Sequence, residues 1–436
     1  MAFVRSIGRW TMTALVINCT IGGGIFGLPG EVTRLLGRAG PFAWVFAALG
    51  MAVIIACSTE VASQFSDPGG PYLYVRTVFG RFMGLQIGWF HLLVVTGAMA
   101  AITNLFVNYL PTLLPRTLNN WERGSLLAIL IAIPAAANYC GVRSGANLSN
   151  FLTLVKLAPL VLLILFGMVR FFHQPQMLRP SEIVSPGLSN WVSAMVLVLF
   201  AYGGWENPLI PTGEMREPRR TIPFGLGTGL LVCAVIYALL QFITVATIGP
   251  MKTDRPLAET ASVLLGRGGA AFVAVAAMLS TLGWISGATL NGPRLAYSLA
   301  AHGDFPTILA RLHPRFHTPT AAILFYALAG WVLAFSGSFL WLVALSSGAV
   351  MILYAGMCAS LIPLRKFRPD VVALRIPFGP VLSILGVAIC LALMAGLKRR
   401  ELLLMCVTVL IATANWLWAR RRRAQVETVM KTATAR

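Results

Sequence analysis

Acidic residues are scarce in this chain. Asp and Glu together number 14 in 436 residues, against 34 Lys and Arg, and charged residues of both signs make up only 11%. No apolar run carries paired carboxylates or an H-E-x-x-H pattern, which leaves an intramembrane enzyme without residues to act through. The seven cysteines, at 19, 57, 140, 233, 358, 390 and 406, never fall at C-x-x-C spacing and sit in or at the ends of apolar runs. That excludes a disulfide framework and a zinc site. The five histidines form no cluster: His313 and His317 are four apart, but Pro314 interrupts the helix a metal pair would need. The N-terminus MAFVRSIGRW lacks the short apolar core and small-residue cleavage site of a signal peptide, so the first apolar run is expected to stay in the mature protein. No cofactor and no metal are expected.

Apolar sequence is what the chain has in abundance. Hydrophobic residues make up 57%, the mean hydropathy is +0.78, and runs of about 20 apolar residues recur, the length that spans a hydrocarbon core. The expected fold is an all-α polytopic membrane protein in a lipid bilayer. The net charge of +20 does not indicate nucleic acid, because the basic residues lie between apolar runs and form no face interleaved with aromatics. Twelve spans are read at about 11–36, 41–63, 80–110, 124–140, 146–170, 190–214, 224–248, 268–300, 319–337, 339–363, 377–397 and 401–419. An even number puts both termini on one side. That side collects 21 Lys and Arg against 12 on the other, with Lys156 inside a span. The positive-inside rule then makes both termini cytoplasmic, in the cell (inner) membrane, with 420–436 as a basic cytoplasmic tail whose Arg420 to Arg423 anchor the last helix.

Two spans are interrupted. Residues 20–30, Thr-Ile-Gly-Gly-Gly-Ile-Phe-Gly-Leu-Pro-Gly, carry Gly22, Gly23 and Gly24 in a row. Each glycine lowers helix stability by roughly 1 kcal/mol relative to alanine, and in a bilayer the released amides and carbonyls need other partners. A half-helix starting after the break offers bare N–H groups, while the half-helix before it offers carbonyls. The pair suits a zwitterion, carboxylate on amides and ammonium on carbonyls. Gly22-x-Gly24-x-x-Gly27 also matches a dinucleotide fingerprint, but no strand precedes it and no βαβ unit surrounds it. Gly23 and Gly27 form a small-xxx-small pair, so close packing is a competing reading. The sixth span breaks likewise at residues 200–208, Phe-Ala-Tyr-Gly-Gly-Trp-Glu-Asn-Pro. Two broken helices five spans apart point to inverted repeats of five helices, 11–170 and 190–363, with a midplane site between them and two extra helices at 377–419. The whole of 1–436 is then a single transmembrane domain. No filter-like segment marks a channel.

Several segments resemble the amino acid-polyamine-organocation (APC) permeases. TIGGGIFGLPG is similar to that family's first-helix signature, and DPGGPYLYVRTVFGRFMGLQIGW (67–89) to its segment entering helix 3. NYCGVRSGANLSNFLTLVKLAPL (138–160), FAYGGWE with GEMREPRRTIP (213–223), and NGPRLAYSLAAHGDFPTILARLHPRFHTPTAAI (291–323) resemble its helix 4 to 5, helix 6 and helix 8 regions. The resemblance implies a five-plus-five fold with helices 1 and 6 unwound, working by alternating access as a secondary transporter of amino acids. Carried over, the amides of Ile21, Gly22, Gly23 and Gly24 hold the substrate carboxylate, and carbonyls near Asn18 to Ile21 and at Phe200, Ala201 and Tyr202 take the ammonium. Phe200 falls where relatives place an aromatic gate. Trp205 stands where Phe or Val is commoner.

Lys156 sits about 15 Å into its helix, near the centre of a roughly 30 Å core. An ammonium there costs about 2.5–3.5 kcal/mol or more, so it should face the bundle interior. The expected contacts are carbonyls of the broken first helix and hydroxyls such as Ser280 or Thr281. The resemblance adds that proton-coupled relatives carry a lysine on helix 5. Two readings stand, a proton carrier and a fixed tether. Glu206 follows the second break, as a cap favoured by the helix dipole or as a gating residue. Glu60 reads as structural. Trp284, Ser346, Ser347 and Asn104 read equally as packing or as substrate contacts. The GxxxG pairs Gly84/Gly88, Gly225/Gly229 and Gly283/Gly287 read as close helix contacts rather than dimer faces. The expected substrate is a neutral amino acid moved with a proton, by a monomer or homodimer; the alternatives are an amino acid/amine exchanger and a non-transporting sensor.

Overall fold

The computed structural model describes residues 8–65, 70–114, 116–140, 146–173, 186–206, 217–316, 318–367 and 374–434; at 146–155, 218, 219 and 422–434 only the backbone is described. Pro208, Arg143, the 213–216 stretch of the helix 6 loop motif, and the side chains of Arg422 and Arg423 lie outside the described residues. Within them the chain is helical throughout, with no strand. The first span is three pieces, α1 (Arg9–Thr20), α2 (Gly24–Gly27) and α3 (Pro29–Leu36). Then follow α4 (Gly40–Ala62), α5 (Gly70–Tyr109), α6 (Asn120–Tyr139), α7 (Ala146–His173), α8 (Leu188–Tyr202), α9 (Pro218–Ile248), α10 (Pro256–Ala301), α11 (Thr320–Ser336), α12 (Phe339–Phe367), α13 (Gly379–Met394) and α14 (Arg399–Thr434). Eleven of the twelve expected spans coincide with one of these helices or helix groups, and α8 occupies the start of the sixth, whose residues 207–214 lie outside the described ones. Among the described residues eight segments are long and apolar enough to cross a membrane, and three more apolar helices are shorter.

Two helices differ from the sequence reading. α5 and α10 each begin with an extra ten-residue arm that turns a corner at a glycine, Gly80 (φ 82°, ψ 177°) and Gly266 (φ 72°, ψ −169°). Those φ values are open to glycine and costly for other residues. The arms are too short to span and lie ahead of the third and eighth spans. The start of α6 is fixed by a capping box: Asn119 Oδ1 accepts from the Glu122 amide at 2.9 Å and Glu122 Oε2 from the Asn119 amide at 3.0 Å.

Packing follows a paired pattern. α1 lies along α9 as α8 lies along α4; α5 lies against α12 as α10 lies against α7; α5 meets α11 as α10 meets α6; α4 meets α12 as α9 meets α7. Exchanging the first five spans with the next five turns one member of each pair into the other. The α1–α9 seam is close because Gly225 and Gly229 receive Met12 and Val16; a Cβ on Gly229 would be 2.5 Å from Val16 Cγ1. Gly88 likewise receives Leu299. These glycines are helix contacts, as expected.

Charged side chains tie the ends of the helices. Glu60, 1% exposed, takes a two-pronged bond from Arg365 (2.6 and 2.7 Å) and the Ile376 amide (2.9 Å). This joins α4, α12 and the segment before α13, a structural role as the sequence implied. Asp304 is fully buried and accepts from Arg81 Nε at 2.5 Å and from the Tyr72 hydroxyl at 2.6 Å, with Arg76 at 3.6 Å. It fixes the arm of α5 to the end of α10.

Candidate functional site

The first break begins where the α-helical ladder changes partner. The Ile21 amide still reaches Ile17 O (2.8 Å), but the Gly22 amide bonds Thr20 O (2.8 Å) instead of Asn18 O. Asn18 O is thereby released, and Lys156 Nζ takes it at 2.5 Å. The ladder restarts with Phe26 to Gly23 O and Leu28 to Gly24 O. Among the described residues the amides of Gly23, Gly24 and Ile25 make no backbone bond, as the first amides of a new helix must.

The second break follows α8. The Gly203 amide bonds Phe200 O (3.1 Å), and Gly204 adopts φ 98°, open to glycine. Glu206 Oε2 turns back to accept the Gly204 amide at 3.1 Å and the Tyr354 hydroxyl at 3.3 Å. Its carboxylate caps the break itself.

The two breaks touch. A Cβ on Gly24 would lie 2.8 Å from both Cα and Cβ of Ala201, and one on Gly23 2.9 Å from Leu105 Cδ2. The glycine run therefore both opens the helix and admits its neighbours, so the packing and unwinding readings hold together. Tyr237 of α9 joins the breaks from behind: its hydroxyl, fully buried, bonds Thr20 O at 3.0 Å and Ala201 O at 3.1 Å. Its ring packs against Trp44 and Tyr202 at 5.0 and 5.2 Å.

In front of the breaks lies a cavity of ≈ 70 Å³. Of the expected residues, Gly22, Gly23, Gly24, Phe200, Ala201, Glu206, Trp284, Ser346 and Ser347 line it. Ile21 and Tyr202 do not. Ile21 is buried in the core, and the Tyr202 hydroxyl is turned away to Trp44 O at 2.9 Å. Asn104 proves to be a packing residue: its amide nitrogen donates to Ala100 O and Ala334 O, and its oxygen accepts from Arg123. Lys156 faces inward, as its depth required, but behind the cavity wall. Neither of the hydroxyls expected beside it is bonded to it: Thr281 donates to Met278 O at 2.8 Å, and the Ser280 hydroxyl has no partner among the described residues. Cys19 and Thr20 of the lining fall in the Asn18 to Ile21 stretch expected to offer carbonyls, whereas sequence reasoning did not single out Val94, Ala98 and Val350, nor Tyr237 and Tyr354. For Tyr237 a signal existed, a tyrosine in mid-span that needs a hydroxyl partner.

The wall chemistry is selective. Glu206 is the one ionisable carboxylate among the described lining residues, its Oε2 already engaged, and no Lys or Arg lines the space. No group of His, Cys, Asp and Glu among the described residues could hold a metal ion.

A family profile described as "Amino acid permease" matches residues 7–418. The serine/threonine exchanger SteT of Bacillus subtilis (strain 168) is 27% identical over 402 residues, 88% of this chain and 89% of that protein. A methylthioribose transporter of the same organism is 24% identical, covering 94% and 92%. The human large neutral amino acids transporter small subunit 2 is 26% identical over 387 residues, covering 85% of this chain and 72% of its own length. With nearly its whole length matched and its helices broken where the family motifs fall, the chain belongs to the amino acid permeases of the APC superfamily, integral membrane transport proteins and not enzymes.

Proposed function

We propose that the chain carries a neutral amino acid across the cell membrane by alternating access, coupled to a proton through Lys156. The observation that carries this reading is the meeting of two interrupted helices at one cavity. Gly23 and Gly24, whose amides make no backbone bond among the described residues, line it, as does Cys19, whose carbonyl makes none either. A zwitterion satisfies both sets at once. A substrate with a charged side chain does not fit: a cationic one would find only the engaged Glu206, and an anionic one would find no cation on the wall.

The paired helix contacts and the two glycine corners support two five-span repeats, 11–170 and 190–363, followed by two additional helices. In this arrangement α1, α4, α8 and α9 form one body and α5, α7, α10 and α12 the other, with the cavity between them. The Lys and Arg distribution supports cytoplasmic termini. The contact of the Lys156 ammonium with Asn18 O, two residues before the end of α1, supports a role for it at the break.

Exchange is the second reading. It is favoured by the similarity to a serine/threonine exchanger, and in it Lys156 is a fixed tether. Purified protein in proteoliposomes separates the two. Uptake of a neutral amino acid driven by an inward proton gradient into empty vesicles supports symport. Uptake that needs internal amino acid and ignores the gradient supports exchange. Uptake of neither kind across the twenty amino acids overturns both.

A further inference from the structure

Buried hydroxyls in this chain follow a strong local habit. Thr33, Thr59, Thr96, Thr103, Thr244 and Thr260 each donate back to the carbonyl four residues earlier, at 2.6 to 2.8 Å. This is how a helix in an apolar setting satisfies a hydroxyl without outside help. Thr20 and Ser347 break the habit. They are 4% and 0% exposed, neither hydroxyl has a partner among the described residues, and both residues line the cavity. Ser280 and Thr320 also lack partners, but neither is on that wall.

Their positions are informative. Thr20 is the last residue of α1, at the edge of the backbone break. Ser347 sits in α12 on the wall formed with α5, next to Ser346. Ser346 is spoken for: its hydroxyl donates to Val94 O at 3.1 Å, and its Cβ faces Gly97. Ser347 is therefore the free hydroxyl of that seam. A serine hydroxyl swings between staggered positions by rotation about one bond, so it reaches the cavity without backbone movement. A buried hydroxyl left unpaired is costly, and one paired only when the cavity is filled converts that cost into selectivity for the filler.

We propose that Thr20 and Ser347 form the side-chain subsite of the cavity, and that the preferred substrates are neutral amino acids whose side chain bears a hydroxyl or amide, over aliphatic ones of the same shape. The inference rests on the reading of this cavity as an amino acid site and adds which side chains it selects. The backbone clamp treats all zwitterions alike, and Val94, Ala98 and Val350 offer only apolar contact. Discrimination between isosteres falls to the two hydroxyls.

Threonine and valine are the decisive pair, since they differ by a hydroxyl in place of a methyl. The full-length protein in proteoliposomes is assayed for uptake of labelled threonine, with unlabelled threonine and valine as competitors, and the purified protein is melted with each. Threonine is expected to compete at roughly tenfold lower concentration than valine, the discrimination that about one well-made hydrogen bond gives. In Ser347→Ala and Thr20→Val that ratio is expected to fall toward one, because threonine weakens while valine holds. Equal competition by valine and threonine in the unmodified protein overturns the proposal, whatever the variants do. A threonine preference that survives in both variants overturns the assignment to these residues. If no neutral amino acid protects or competes at all, the carrier reading beneath it fails first.

Discussion

Replacing Lys156 tests the coupling. The ammonium is 6% exposed and lies 2.5 Å from Asn18 O, a carbonyl that Gly22 abandons for Thr20 O. A hydrogen bond from a charged donor contributes about 1.5–3 kcal/mol and a neutral one about 0.5–1.5 kcal/mol. Holding a charge at mid-bilayer costs about 2.5–3.5 kcal/mol. The hydrogen bond offsets much of the burial cost, which lets an ammonium sit at this depth. Lys156→Gln keeps a donor for Asn18 O but cannot cycle a proton; Lys156→Met removes both. With one proton per solute, each pH unit across the membrane supplies about 1.4 kcal/mol, or up to about tenfold accumulation. In proteoliposomes with acid outside, the unmodified protein is expected to concentrate a neutral amino acid and Lys156→Gln only to equilibrate it. Exchange against internal substrate is expected to persist in Lys156→Gln and to weaken in Lys156→Met. Undiminished pH-driven accumulation by Lys156→Gln would refute the reasoning and leave the lysine as a tether.

Two further perturbations probe the frame of the site. Gly24→Ala places a methyl 2.8 Å from the Cα and Cβ of Ala201, and because part of the obstacle is backbone, the two broken helices must separate at a cost of about 1–3 kcal/mol. A lower melting temperature with uptake largely lost is expected, and near-normal uptake would mean that the breaks do not approach in the working protein. Glu60→Gln removes the charge that Arg365 grips with both nitrogens. Since Arg365 is 24% exposed on its side chain, the loss is expected at about 1–3 kcal/mol, below the roughly 3–5 kcal/mol of a fully buried pair. It is read as a fall in thermal stability with little change in substrate affinity; an unchanged melting temperature would show that the clamp carries no load.

Much of the architecture is legible in the sequence because a bilayer leaves a chain few options. Apolar runs of spanning length have to be helices, and a glycine triplet inside one has to be a break. Lys156 is equally legible, since depth alone forces its ammonium toward a carbonyl. What hydropathy cannot register are the amphipathic arms before Gly80 and Gly266, which turn at corners marked by a single glycine each. Side-chain direction is also hidden. Tyr202 and Asn104 sit on the right helices, but the hydroxyl of one and the amide of the other are drawn away by Trp44 O and by Ala334 O, partners remote in sequence. Glu206 lines the cavity beside the second break, while its turn back onto Gly204 depends on backbone geometry that no residue pattern records.

The phenol of Tyr237 has one hydrogen and two claimants, the carbonyl of Thr20 at the end of one severed rod and that of Ala201, one residue before the end of the other. Because the two acceptors lie at 3.0 and 3.1 Å, rotation about one bond passes the hydrogen between the rods, a swap of near-equal bonds rather than a rupture. Tyr237 thus holds both severed ends in register through one buried hydroxyl.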